Sequence, residues 1–303
     1  MFYKIRRDLN VYNHNRRIRK VMETRPIRIV DAPWTICSMV GNGDVLMYIV
    51  GMKSFYRRLK KGKLKVIVAR TMARSMRDLL RYHFTGVEVA ELDELDTGTC
   101  QRGGTWERIV HLIDLSRDQY AIQVDADTLS CGGNLDEILA CIEQNRAFVY
   151  RDAWPFPPIL TLRETAAEAR KLGSNHVAIA AERQFVQLPD CDRLKYIRGS
   201  SGFAGFAKGG FDRARLEEFH GRMEKLLGDR WREWGSEQVA SNYCVSNSPG
   251  VVVLPHPQYR TFSPTDSPEW LSKAKFLHFI GSTRYEKGYF VARSVEMIRE
   301  FDV

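Results

Sequence analysis

The sequence predicts an α/β protein with a mostly parallel sheet covered by helices. Two observations carry that prediction: short apolar runs rich in strand formers alternate with segments of helical periodicity, and Gly- and Asp-rich turns separate them. A third sets the scale. The chain has 303 residues with 44% hydrophobic content, enough for one large domain or two small ones with a sizeable core.

The elements follow in order. Trp34–Val40 (WTICSMV) reads as a strand, and Gly41-Asn42-Gly43-Asp44 as the turn after it. In Val45–Leu59 the apolar residues Leu46, Ile49, Val50 and Phe55 recur at helical spacing. Residues 64–69 (LKVIVA) read as a buried strand, 75–84 as a helix with Ser75 as its N-cap, and 87–90 as a third strand. Residues 105–115 predict a helix carrying Trp106, Ile109, Val110, Leu112 and Ile113, which leads into the strand Tyr120–Val124 and then Asp125. A helix at 135–144 and a strand at 147–150 come next, and the Pro-rich segment 154–158 breaks regular structure. Beyond it the pattern is less even. Helices are expected at 163–172, Arg213–Leu227 and 237–245, strands at 196–198, 251–254 and 276–280, a Gly-rich stretch at 199–210, and a Pro-punctuated loop up to Pro268.

The net charge is +9, and nine cations in the first thirty residues face only Asp8 and Glu23. Solvated charge is one reading of this basic leader, and a peripheral hold on an anionic membrane surface or a lipid-linked substrate is another. A nucleic-acid-binding α/β protein is the alternative from a different class, but the leader's only aromatics are Phe2, Tyr3 and Tyr12, so no nucleic acid is expected. No apolar run is long enough to span a membrane and no secretory h-region precedes the fold, so the reading is a cytoplasmic protein, at most peripheral at the inner face of the membrane. The six cysteines show no C-x-x-C pair and no His at zinc-site spacing, which predicts reduced, mostly buried thiols.

The chemistry gathers at Asp125-Ala126-Asp127. Ligands in open α/β sheets collect at the carboxyl ends of strands, and this triplet stands at such an end. Two carboxylates one residue apart would share a strand face and repel, a cost that Mg²⁺ or Mn²⁺ removes. Such an ion keeps positions for diphosphate oxygens and helps a nucleoside diphosphate to leave.

Near the C-terminus, His278-Phe279-Ile280-Gly281 is followed by Arg284 and Lys287. With the D-x-D triplet, this segment resembles the H-x-x-G-x-x-K signature of glycosyltransferase family eight. The resemblance implies that His278 completes the metal site of Asp125 and Asp127, and that a cation at the last position grips the diphosphate. Arg284 stands where the family has Lys and Tyr285-Glu286 replaces Pro-Trp, so either Arg284, a bidentate clamp, or Lys287 takes that role.

The layout resembles the GT-A fold of nucleotide-diphospho-sugar transferases, with helices on both faces of the sheet and a smaller antiparallel extension on the acceptor side. It implies a nucleotide-sugar-binding half at 31–150 after the leader 1–30, and an acceptor-binding half at 151–303. On that likeness Thr35, Cys37, Met39 and Asp44 neighbour the base and ribose, and Ser200 and Ser201 line the sugar and acceptor pocket. Arg102, in Arg102-Gly103-Gly104-Thr105, either contacts the nucleotide sugar or belongs to a simple helix cap. Ser236 reads as an N-cap that puts Glu237 and Gln238 in the first turn of a helix, as catalytic base or as contacts to sugar or acceptor. The function expected is transfer of a glycosyl group from a nucleoside diphosphate sugar to a hydroxyl of a glycan, lipid-linked saccharide or protein, retention being slightly favoured over inversion. A non-catalytic sugar-nucleotide-binding relative is a further alternative.

Overall fold

The computed structural model describes residues 2–152 and 157–301. In chain order, α1 (Phe2–Ile18) and a 3-10 turn lead to β1 (Ile27–Arg28) and β2 (Trp34–Val40). There follow α2 (Val45–Leu59), β3 (Lys63–Val68), α3 (Arg74–His83), β4 (Phe84–Thr85) and β5 (Glu88–Glu91). Next come α4 (Trp106–Ser116), β6 (Tyr120–Val124), β7 (Thr128–Ser130), α5 (Asp136–Glu143), β8 (Phe148–Val149) and β9 (Leu160–Thr161). Then α6 (Leu162–Arg170), α7 (Val177–Gln184), β10 (Lys195–Tyr196), β11 (Phe203–Phe206), α8 (Arg213–Leu227) and α9 (Ser236–Ser246). The chain closes with β12 (Val252–Val253), β13 (Tyr259–Thr261), α10 (Pro268–Lys273), β14 (Phe276–His278) and α11 (Tyr289–Phe301). It is a mixed α/β fold with a mostly parallel sheet and helices. Two compact units share it: residues 1–93, 124–136 and 255–303 form the first, and 94–123 with 137–254 form the second.

In the first unit β2, β3 and β5 lie side by side and parallel, with Ile36 opposite Leu64 and Val66 opposite Val89. Strand β2 is buried along nearly its whole length, which is why it reads as a continuous apolar run. Helix α2 is buried on most of its circumference. It even hides Lys53, 1% exposed, whose ammonium donates to Thr24 Oγ1 at 2.7 Å and to the Arg25 carbonyl at 2.6 Å. A second sheet of three strands runs in the order β13, β14, β7. The basic leader forms α1, which packs on α11 and buries Ile18 and His14.

In the second unit the strand order is β12, β8, β11, β6, with β12 parallel and β11 antiparallel to β8. Gly205 in β11 lets Phe148 and the Tyr120 hydroxyl approach, since a Cβ there would meet both at 2.4 Å. The Gly-rich stretch thus answers to close packing.

Several local expectations are corrected. Helix α3 starts at Arg74, so Ser75 lies inside it and Ala73 is the N-cap, whose N–H is met from a distance by Asn42 Oδ1 at 3.0 Å. Gly235, with φ +103, caps α9 in place of Ser236, whose hydroxyl instead accepts from Trp106 Nε1 at 3.0 Å and Gln101 Nε2 at 3.2 Å. The Pro-punctuated loop before Pro268 contains β13, and part of the break read at 154–158 falls outside the described residues. All six cysteines are free and buried, and no described helix is long and apolar enough to cross a membrane.

Candidate metal centre

Strand β6 is buried at every position and delivers the chain to Asp125. The triplet itself is a turn between β6 and β7, and the Thr128 hydroxyl closes it by donating to the Asp125 carbonyl at 2.8 Å. This corrects the strand-face argument for Asp125 and Asp127: the turn, not the pleat, sets their side chains. Helix α2 backs the turn closely. A Cβ on Gly51 would sit 2.3 Å from the Thr128 carbonyl oxygen, so only glycine permits this approach.

Pairing then brings in the distant histidine. Strand β14 runs antiparallel to β7, with Phe276 opposite Ser130 and His278 opposite Thr128, and the Phe279 N–H donates to the Asp127 carbonyl at 2.8 Å. This register puts His278 Nε2 3.1 Å from Asp127 Oδ1 and 3.8 Å from Asp125 Oδ2. One ligand atom from each of Asp125, Asp127 and His278 lies within 4.8 Å of the others. Beyond Gly281, whose φ of +64 turns the chain, Arg284 places Nη2 3.0 Å from Asp127 Oδ2 while its Nε donates to the Gly281 carbonyl at 2.8 Å.

The electrostatics set carboxylates against one arginine and one histidine. Burial pushes the Asp127 carboxyl up, but the charges of His278 and Arg284 outweigh it and hold it below the usual carboxylate range. For His278 burial acts downward and the two aspartates outweigh it, so the imidazole is raised. Asp44 is raised by burial, partly offset by Arg284 and reinforced by the charge of Asp127. Two carboxylates and an imidazole nitrogen converging on one point make a donor set that fits a divalent ion such as Mn²⁺ or Mg²⁺.

The other residues expected at the site fall into three places. Thr35, Cys37 and Met39 alternate along β2 and share one of its faces, with Thr35 and Cys37 buried and Met39 half-buried. Lys287 is exposed and lines a separate cavity with α1. Arg102, Ser200, Ser201, Glu237 and Gln238 all belong to the second unit. There Arg102 donates to the Leu95 carbonyl at 2.8 Å, and the Ser200 hydroxyl accepts the Gly202 N–H at 3.2 Å. Glu237 is 3% exposed, accepts from the Ser201 hydroxyl at 3.2 Å and pairs with Arg108 Nη2 at 3.4 Å. Gln238 beside it is half-buried.

Two residues escaped the sequence reading. Gly51 interrupts an otherwise bulky helix, and Arg108 stands in the apolar run of α4; each was a visible exception to its surroundings.

No family model matches the chain, and no curated protein matches it. Solved structures do. The apo structure of the bifunctional glycosyltransferase WbbM aligns with a TM-score of 0.55 at 15% identity, covering 89% of this chain and 49% of that one. The fold is the GT-A fold of nucleotide-sugar glycosyltransferases. The chain spans about half the length of the WbbM structure. Two more distant likenesses are mouse xyloside xylosyltransferase 1 in its apo form (TM-score 0.45, 13% identity, 85% of this chain and 99% of that one) and the galactosyltransferase LgtC with donor and acceptor sugar analogs (TM-score 0.48, 11% identity, 88% and 95%).

Proposed function

We propose that this chain is a metal-dependent glycosyltransferase that takes its sugar from a nucleoside diphosphate donor and gives it to a hydroxyl acceptor. The observation that carries the reading is the meeting of Asp125, Asp127 and His278 at one point with Arg284 fixed against Asp127. In it, Asp125, Asp127 and His278 hold a divalent cation. When bound, that ion neutralises charge on the departing diphosphate. Arg284, anchored through Nε to the Gly281 carbonyl and through Nη2 to Asp127, offers its remaining Nη1 to diphosphate oxygens. Thr35, Met39 and Asp44 neighbour the nucleoside in this reading.

The two acidic-helix candidates take different roles. Glu237 is committed to Arg108 and Ser201, which supports a positioning residue that fixes the start of α9, whereas half-buried Gln238 is the group assigned to the reacting sugar. An amide there is no base, which favours retention, as the likeness to family eight does.

The test is release of nucleoside diphosphate from UDP- and GDP-sugars, with and without Mn²⁺. Activity that needs the metal and disappears in the Asp125→Asn, Asp127→Asn double variant is expected. Turnover untouched by that double variant ends the reading.

A further inference from the structure

One residue after Arg284 the chain enters the wall of a cavity of about 540 Å³ whose opposite wall is α1. None of the metal-binding residues lines it. Its cations are Arg16, Arg17 and Lys287, its only carboxylate is Glu286, and Asn10 and Asn13 add two amides. Among the described residues none of the three cations is in an ion pair, so three positive charges face one negative.

Two further observations separate this cavity from an ordinary solvated helix face. His14 lines it, is 2% exposed, and leaves Nε2 with no hydrogen-bond partner, while Nδ1 lies 3.4 Å from Asn15 Oδ1. An unmet buried polar atom is costly to keep in a fold. The ring is wedged against Tyr285 and Phe290, with centroids 5.1 and 4.5 Å away, so it is held by packing on two aromatic neighbours. Lys287 also holds φ at +54, a left-handed backbone that non-glycine residues avoid and that persists where surroundings impose it.

We propose that this cavity binds a phosphate monoester that also carries hydroxyl groups, a sugar phosphate by chemical class. Its phosphate lies on Arg16, Arg17 and Lys287, and its hydroxyls face Asn10, Asn13 and Glu286. Guanidinium and ammonium groups match phosphate oxygens, while amides and a carboxylate exchange hydrogen bonds with sugar hydroxyls. His14, packed on Tyr285 and Phe290, closes the wall beneath them. The volume is within the range of small-molecule sites. The proposal needs neither metal nor donor, so it stands or falls apart from the transferase reading.

Titration calorimetry on the full chain tests it, with glucose 1-phosphate, inorganic phosphate and glucose as probes and no divalent cation present. Glucose 1-phosphate should bind saturably and more tightly than either fragment. Each of Arg17→Gln and Lys287→Gln should weaken it by about tenfold, the loss of one charge-assisted hydrogen bond. Both side chains are exposed, so thermal unfolding should be unchanged. Asn13→Ala should weaken glucose 1-phosphate but not inorganic phosphate, and Asp125→Asn should change neither. Sedimentation with phosphatidylcholine vesicles, with or without phosphatidylinositol monophosphate, identifies the source. Stronger binding to the phosphoinositide vesicles assigns the ester to a lipid headgroup, and stronger binding of glucose 1-phosphate assigns it to a free metabolite. Absence of saturable binding to both esters overturns the proposal, as does equal affinity in the Arg17→Gln, Lys287→Gln double variant or loss of binding in Asp125→Asn.

Discussion

The metal centre and the helices α7 and α9 treat their carboxylates in opposite ways. On the two helices each is matched: Glu237 by Arg108, and Glu182, fully buried, by Arg198, whose Nε lies 3.0 Å from Oε1. At the metal centre, Asp127 and Asp44 both feel the charge of Arg284, and Asp125 and Asp127 share a histidine. A matched pair is a structural device, expensive to break and inert to solutes. Two carboxylates and an imidazole converging at a turn are a place for an ion to go.

The comparison breaks most visibly at the metal centre. Asp125→Asn with Asp127→Asn should lower metal-dependent turnover by about 10³-fold, since several kcal/mol of transition-state stabilisation go with the ion. It should also erase the rise in unfolding temperature that MnCl₂ with a nucleoside diphosphate gives the unaltered chain. On the matched helices the loss should be of stability. Glu237→Ala removes the carboxylate that faces buried Arg108, and urea unfolding should show a cost of about 3 kcal/mol.

Acid should weaken the first unit through His83, which is fully buried and held down to about 4 by burial and then by the charge of Lys53. The imidazole is neutral in the fold and takes up a proton when unfolded. Stability is therefore full above the unfolded value near 6.5 and falls as pH drops from there toward 4, by about 2 kcal/mol at pH 5. Urea midpoints across that range check it, and His83→Leu should flatten the slope. Last is Gly51→Ala: its methyl meets the Thr128 carbonyl, costing about 1–3 kcal/mol by the same urea assay. Because the displaced backbone is the turn of Asp125 and Asp127, metal affinity should fall with it.

Much of this was readable in advance where local pattern and tertiary burial agree. Strands β2 and β6 and helices α2 and α8 run over the residues that apolar spacing marked. Helix α1 was hidden because its charges dominate composition, although His14 and Ile18 sit one turn apart on its buried side. Helix α11 buries Phe290, Ser294, Met297, Ile298 and Phe301, a helical spacing that lay beyond the last motif considered. The caps misled for a different reason: Ser75 and Ser236 have the right chemistry, but Ser75 falls inside a helix that begins at Arg74, and the Ser236 hydroxyl is taken across space by Trp106 and Gln101. At the site, residue types and order were legible, whereas the β7–β14 register that brings His278 to Asp127 exists only in three dimensions.

That register also has a temporal meaning. His278 follows Asp127 by 151 residues, and closing a loop of that length costs about 4 kcal/mol of chain entropy before the strands repay it. During synthesis the aspartates emerge long before their histidine, so the ion-binding point cannot exist on a nascent chain that stops short of β14. A divalent ion that recognises all three ligands would then act as a clip on the finished fold, rewarding only chains that have been made through that strand.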